Sequence, residues 1–80
     1  MLKDLSSGKK VVGIKQLRKA VVAGTVKTVF LAADADPFLT DPLRKMCEEK
    51  NIAVVDVSTM AELGRACGIS VSASAAGLLQ

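Results

Sequence analysis

The chain has no histidine, tryptophan or tyrosine among its 80 residues, and it has only two phenylalanines. Without histidine, neither Ser-His or Cys-His catalysis nor a histidine-based metal site can be built. With so few aromatic rings, a sheet that stacks RNA bases on its surface cannot be built either. These enzyme classes, and the aromatic class of RNA-binding module, are therefore excluded.

The two cysteines, Cys47 and Cys67, are too far apart in sequence to form a paired metal-binding or redox motif. Each lies on the apolar stripe of a predicted helix, so we expect both to be reduced, buried and structural. No targeting segment and no apolar run of membrane length is recognisable, which favours a cytoplasmic protein without a membrane partner. The length predicts a single domain, 1–80.

The net charge of +3 is unevenly distributed along the chain. Residues 1–27 contain seven Lys and Arg but only one acid, Asp4, and so carry +6. Residues 28–80 contain four basic and seven acidic residues and carry −3. A basic first third on a slightly acidic body is typical of a protein that contacts a polyanion. An acidic protein is the alternative partner.

The segment from Gly13 to Gly24 predicts a helix bracketed by glycines. Its apolar residues recur at helical spacing and predict a buried stripe, formed by Ile14, Leu17 and Val21. Lys15, Arg18 and Lys19 share another face in the first two turns, where the helix dipole disfavours cations. This conflict suggests an anionic partner, although a solvated basic face remains the alternative.

A short strand predicted at 9–12 leads directly into Gly13. Backbone N–H groups are left free at such a helix start, and a glycine lets a ligand approach them closely. Together with the surrounding lysines, these amides predict an anion site. The lysines are Lys9, Lys10, Lys15 and Lys19.

Two acids, Asp34 and Asp36, follow a strand predicted at 28–33. One interpretation is a paired carboxylate site for Mg²⁺ or phosphoryl transfer. The other is structural, with Asp36 capping a helix whose first residue is Pro37. We favour the cap because no catalytic partner accompanies the acids, and we predict no catalytic residue, metal or cofactor.

The middle of the chain repeats the order helix, strand. A second helix-start signal at 40–42 opens a helix that ends at 50–51, and a strand follows at 52–57. Residues 1–8, ahead of all these elements, are predicted to be loose or weakly helical.

The last part of the chain is predicted as helix, loop and strand. Thr59 and Glu62 have the spacing of a capping box, and Gly68 ends that helix. A loop at 69–72 then precedes a strand that runs to Leu79. The alternation predicts an α/β fold, a three-layer α/β/α sandwich with a small mixed sheet of about four strands.

Four segments together resemble one family, in order and at matching spacing. They are GIKQLRK at 13–19, LAADADP at 31–37, CEEKNI at 47–52 and ELGRACG at 62–68. The family is the kink-turn-binding ribosomal-protein family of the archaeal L7Ae type, especially its short bacterial members. The resemblance covers nearly the whole chain and implies an α/β/α sandwich that binds kink-turns in RNA.

The resemblance also implies a first RNA contact at the start of the first helix, in the widened major groove beside tandem sheared G·A pairs. The matching positions are Gly13, Lys15, Gln16 and Lys19. Lys15 and Gln16 would face guanine edges, and Gly13 would allow close backbone approach. The other cations would contact phosphate or base oxygens, namely Lys9, Lys10, Arg18 and Lys19.

A second contact is implied at the loop before the last strand, where the family packs aliphatic side chains against flipped bases. The matching residues are Ile69, Ser70, Val71 and Ser72. Taken alone, Ile69 and Val71 would be assigned to the core. The resemblance instead favours a contact with RNA.

This chain departs from the archaeal pattern at two places. Lys15 and Gln16 replace Asn-Glu, and Ala33 replaces an acid before the Asp-x-Asp-Pro turn. The amide oxygen of Gln16 can still accept hydrogen bonds from a guanine edge.

We therefore predict a monomeric, non-enzymatic protein whose partner is structured RNA containing a kink-turn, with membership of the ribosome left open. The first alternative is a structural ribosome component or a protein-interaction module. A Mg²⁺-dependent phosphotransfer domain using Asp34 and Asp36 is the less favoured alternative.

Overall fold

The computed structural model describes Leu5 and residues 8–80, so most of the segment 1–8, predicted to be loose, lies outside the described residues. Strands and helices alternate over residues 8–80. They are β1 (Lys10–Val12), α1 (Ile14–Ala23), β2 (Val26–Ala32), α2 (Pro37–Glu49), β3 (Ala53–Val57), α3 (Met60–Ala66) and β4 (Ala75–Leu79). No helix in this part of the chain is long and apolar enough to cross a membrane.

The four strands form one mixed sheet in the order β1-β4-β2-β3. β2 and β3 are parallel, whereas β4 is antiparallel to both β1 and β2. The carboxyl ends of β1, β2 and β3 therefore lie at the same end of the sheet as the first residue of β4. Since α1, α2 and α3 follow those three strands, their starts lie at this same end.

Two apolar clusters cover the two faces of the sheet. The first joins α1 and α2 to the sheet and includes the buried residues Leu17, Val21, Leu43 and Cys47. The second joins α3 to the other face and includes Leu63, Cys67 and Ala76. Successive residues of β2 alternate between the clusters, as Val29 and Phe30 do, because adjacent side chains of a strand point to opposite faces. The predicted three-layer sandwich is confirmed.

Cys47 and Cys67 are both free and buried, as predicted. Burial raises the pKa of each thiol, with Arg44 opposing the rise at Cys47 and Lys10 opposing it at Cys67. Both therefore stay protonated at neutral pH and act as small apolar side chains rather than nucleophiles.

The start of α2 corrects one prediction. The Asp36 carboxylate accepts a hydrogen bond from the Phe38 N–H at 3.0 Å, which confirms the predicted cap. The second start signal at 40–42 opens no helix, since Thr40 is buried within α2 and Pro42 lies inside it. The cap at Asp36 begins the helix upstream, and Pro42 lies within it as a residue that has no N–H to donate to the preceding turn.

Candidate nucleic-acid interface

The start of α1 is an open, uncapped helix end. Gly13 adopts φ 102° and ψ 151°, a backbone conformation that residues with side chains rarely adopt. A Cβ added to Gly13 would meet no atom within 4 Å, so the backbone here is accessible. The Gly13 N–H donates to the Ala75 carbonyl at 2.9 Å, which ties this helix start to the first residue of β4.

The first amides of α1 have no capping group among the described residues. Gly13 has no side chain with which to cap them, and the first intrahelical bond runs from the Leu17 N–H to the Gly13 carbonyl at 3.0 Å. Within the described residues, no acceptor contacts the N–H groups of Ile14, Lys15 or Gln16. Free N–H groups at the positive end of a helix dipole attract anions and oxygen acceptors.

The predicted cations of α1 are exposed and uncompensated. Lys15, Gln16, Arg18 and Lys19 all lie on the solvent side of the helix. No acid occupies the first turn, and the one ion pair recorded between described residues joins Arg44 to Asp56 at 2.6 Å, away from α1. This part of the surface is therefore strongly positive.

The structure places Lys10 apart from the cations of α1. It alternates along β1 with Val11, which packs against the α1 and α2 cluster. Lys10 therefore belongs to the other face, where its charge opposes the rise in the pKa of Cys67. Lys9 is exposed just before β1, and its carbonyl accepts from the Leu79 N–H at 2.9 Å. The contact of both lysines with phosphate stays a prediction.

The loop 69–72 is held against α3 by two backbone bonds and one glycine. The Ile69 N–H donates to the Gly64 carbonyl at 3.2 Å, and the Ala73 N–H donates to the Met60 carbonyl at 3.0 Å. A Cβ added at Gly64 would lie 2.1 Å from the Val71 carbonyl oxygen, too close for any side chain. Gly64 thus lets the loop lie directly on the helix. Sequence reasoning gave it no role, although a glycine inside a helical pattern signals such close packing.

The two aliphatic residues of the loop have different environments. Ile69 is half-buried and packs against the α3 cluster. Val71 is 68% exposed, an unusual position for a large aliphatic side chain flanked by the exposed Ser70 and Ser72. Val71 is therefore the exposed aliphatic side chain of the loop.

A pocket of about 250 Å³ lies between the loop 69–72 and α3. Besides the four loop residues, it is lined by Ala61 and Arg65. Neither was predicted as a site residue. Their i, i+4 spacing puts them on one face of α3, but only the folded loop shows that this face is part of the pocket.

Asp34 and Asp36, the two acids considered as catalytic candidates, each accept a hydrogen bond at the start of a helix. Asp36 caps α2, while Asp34 Oδ1 accepts a hydrogen bond from the Met60 N–H of α3 at 2.7 Å. The Thr59 hydroxyl accepts from the Glu62 N–H at 3.0 Å, as the capping-box spacing predicted. In the described part of the chain, no group of three or more Cys, Asp or Glu is arranged to hold a metal ion.

Residues 2–80 match the sequence profile of the ribosomal protein L7Ae/L30e/S12e/Gadd45 family. The chain belongs to this family. The four segments that suggested the L7Ae type therefore identified it correctly, and the match spans the uncapped start of α1 and the loop 69–72.

Individual relatives are similar over most of their length. RNA-binding protein TTE2299 of Caldanaerobacter subterraneus subsp. tengcongensis is 47% identical over 68 residues, which cover 85% of this chain and 83% of the relative. RNA-binding protein YbxF of Geobacillus stearothermophilus is 37% identical over 78 residues, which cover 98% and 95%. The solved structure of the Giardia lamblia 15.5kD RNA binding protein has a TM-score of 0.92 and 31% identity, covering 99% of this chain and 70% of that one.

Proposed function

We propose that this protein binds RNA that contains a kink-turn, through a surface formed by the start of α1 and the loop 69–72. The hydrogen bond from the Gly13 N–H to the Ala75 carbonyl carries the proposal. It joins the uncapped, positive helix start to the strand that directly follows the loop. The two elements can therefore contact one RNA as a rigid unit. Membership of a family that includes proteins named as RNA-binding supports the same partner.

The start of α1 suits base edges in an opened groove. An ordinary A-form duplex hides its major-groove edges from side chains, whereas a kinked RNA exposes guanine edges. Lys15 donates to guanine acceptors, and the Gln16 amide both donates and accepts. Because Gly13 has no side chain, the RNA can approach the free amides of this helix closely.

The remaining site residues have simpler roles. Val71 packs its exposed side chain on the apolar face of an unstacked base, next to Ile69, and the hydroxyls of Ser70 and Ser72 bond polar edges. The other cations neutralise phosphates and so position the RNA without reading its sequence. These are Lys9, Lys10, Arg18 and Lys19.

The protein acts without catalysis, as a monomer in the cytoplasm. Asp34 and Asp36 each accept a backbone N–H at a helix start, and this structural role accounts for both acids. Binding, rather than chemistry on the RNA, is the function that these residues support.

Affinity for a kink-turn RNA, and for the same RNA with its G·A pairs replaced by Watson–Crick pairs, tests the proposal. The wild-type protein should prefer the kinked RNA. Gln16→Ala should cost about 1–3 kcal/mol on the kink-turn and little on the control. Val71→Asp should weaken only the kink-turn complex, whereas Lys10→Ala should weaken both equally. Equal wild-type affinity for the two RNAs would contradict kink-turn recognition and leave only a general basic surface.

A further inference from the structure

A second pocket lies at the end of the sheet opposite the three helix starts, and we call it the distal pocket. Its walls come from the ends of α1 and α2 and from the residues that begin or follow the neighbouring strands. It is lined by Val21, Gly24, Val26, Lys50, Ile52 and Gln80. Its volume of about 340 Å³ falls at the low end of the roughly 300–1,000 Å³ typical of pockets for small ligands. The distal pocket therefore has room for one small group.

The walls of the distal pocket are mostly apolar. Val21 and Val26 are buried members of the α1 and α2 cluster, and Ile52 packs against that cluster. The exposed Gln80 adds an amide that both donates and accepts hydrogen bonds, and Lys50 adds a cation at the end of α2. Apolar walls with one amide suit an unstacked base, which has an apolar face and polar edges.

The orientation of α1 and α2 separates the place of a base from that of its phosphate. Both helices end at the distal pocket, so the negative ends of their dipoles face it. A base that carries amino donors is favoured at such helix ends, whereas a phosphate is not. The phosphates of a bound strand therefore belong at the rim, beside the lysines.

Lys9 lies on the same face of the sheet as the distal pocket. The Leu79 N–H donates to the Lys9 carbonyl at 2.9 Å, which continues the pairing of β1 with β4, and Leu79 pairs with Val26 on its other side. Side chains of paired residues share one face, and both Leu79 and Val26 contact the α1 and α2 cluster. Lys9 is thus two strand spacings, about 10 Å, from Val26. Lys9 and Lys50 flank the pocket from opposite sides.

The lysines from β1 and β2 at this end have no acid close to them in the sequence. Neither Asp nor Glu occurs between Leu5 and Ala33, and both Lys9 and Lys27 are exposed. Two acids, at 48 and 49, precede Lys50 on α2, but among the described residues no ion pair joins them to a lysine. The rim of the distal pocket therefore attracts anions most strongly on its β1 and β2 sides.

We propose that the distal pocket is a second RNA site, which takes one unpaired base of a single-stranded segment while Lys9, Lys27 and Lys50 bind its phosphates. The seven residues of β2 separate this site from the start of α1 by roughly 20 Å. One protein molecule thus holds two RNA segments at once. An acidic peptide would pair with the lysines, but it has no base edge for the Gln80 amide.

Backbone-amide NMR locates the bound strand. The probe is hexauridylate, a single strand that forms no kink-turn, and it is compared with uridine monophosphate and a hexaglutamate peptide at the same low salt. Hexauridylate should shift the amide signals of Gly24, Ile52 and Gln80, and it should bind there more tightly than either comparison ligand. Affinity for a kink-turn RNA is measured separately, so that failure of the distal pocket and failure of the proposed function are distinguishable.

Protein variants test the assigned contacts. Lys50→Glu should lower affinity for hexauridylate at the distal pocket by roughly tenfold, as expected for a lost charge-assisted contact, and leave affinity for the kink-turn RNA within about twofold. Lys45→Glu is the matched control, because Lys45 is an exposed cation on α2 without an ion-pair partner among the described residues. Gln80→Ala changes an exposed side chain and should also weaken hexauridylate binding. Thermal unfolding of each variant identifies any general loss of structure.

Four results would overturn the proposal. Shifts confined to the start of α1 would leave that surface as the only RNA contact. Equal affinity for hexaglutamate would indicate a site for acidic proteins, and equal affinity for uridine monophosphate a site for a free nucleotide. Equal losses for Lys50→Glu and Lys45→Glu would mean that only total charge matters.

Discussion

The three helix starts lie at one end of the sheet, yet they are built in opposite ways. α2 begins with a capping Asp36 and with Pro37, which has no N–H to satisfy. α3 begins with two side-chain acceptors, Thr59 and Asp34, and has an acid in its first turn. α1 begins with a glycine and cations, and it has neither a side-chain cap nor an acid.

This difference separates two stabilised helix starts from the one that we propose binds RNA. Caps and first-turn acids each stabilise a helix, so the starts of α2 and α3 contribute to the fold. The start of α1 lacks these groups and carries positive charge, which disfavours the helix unless an outside acceptor binds there. The following predictions test whether the contrast is functional.

One of the two largest expected effects, summed over several cations, is that of salt on RNA binding. If about four cations neutralise phosphates, log affinity should fall against log salt with a slope near −3, or roughly 60-fold between 50 and 200 mM. Titration over that range measures the slope. A flat salt dependence would show that the cations of α1 form a solvated surface without phosphate contacts.

Lys15→Glu makes the start of α1 resemble that of α3. Affinity for a kink-turn RNA should fall by about 10- to 100-fold, because a charge-assisted hydrogen bond worth about 1.5–3 kcal/mol is lost. The free energy of unfolding should rise by about 0.3–1 kcal/mol, since an acid in the first turn suits the dipole. Lys45→Glu on α2 makes the same change in net charge and should leave affinity within a fewfold of wild type. Equal losses for both variants would mean that only total charge matters.

Gly64→Ala tests the loop that is bonded to this end of the sheet. The added Cβ collides with the Val71 carbonyl and should shift the loop. Stability should fall by about 1–3 kcal/mol, and affinity for the kink-turn should fall several-fold more than affinity for a plain duplex. Gly24→Ala is the control, because it strains a left-handed residue at the end of α1 without touching the loop. Equal losses on kink-turn and duplex would indicate that Gly64 serves stability alone.

The smallest expected effects are at the capping acids. Asp36→Ala and Asp34→Ala should each lower the free energy of unfolding by about 1 kcal/mol and leave RNA affinity nearly unchanged. Chemical denaturation and RNA titration measure the two quantities, with Asp41→Ala as a surface control. A large loss of binding or of any activity at unchanged stability would restore the phosphotransfer interpretation.

Local signals in the sequence were sufficient to predict most of the helices and strands. The stripe of Leu17 and Val21, the left-handed Gly24 and the cap at Asp36 all depend on residues within one or two turns, so spacing along the chain reveals them. The basic start of α1 is visible for the same reason. The second start signal at 40–42 gave a wrong prediction because the sequence shows two plausible caps. The folded chain uses the cap at Asp36, and the helix that begins there buries Thr40 and Leu43.

The sequence by itself therefore determined most of the helix and strand positions, the buried cysteines and the cations of α1, since each follows from periodicity and local hydrogen bonding. Only the tertiary structure decided which residues contact one another at the end of the sheet where the three helices begin. The insertion of β4 between β1 and β2 brings Ala75 to Gly13, and Asp34 reaches Met60 across 26 residues. Gly64 contacts the loop 69–72, and Arg65 lines the pocket beside it, only because that loop folds onto α3. Such contacts depend on how packed elements approach one another, which no local spacing encodes.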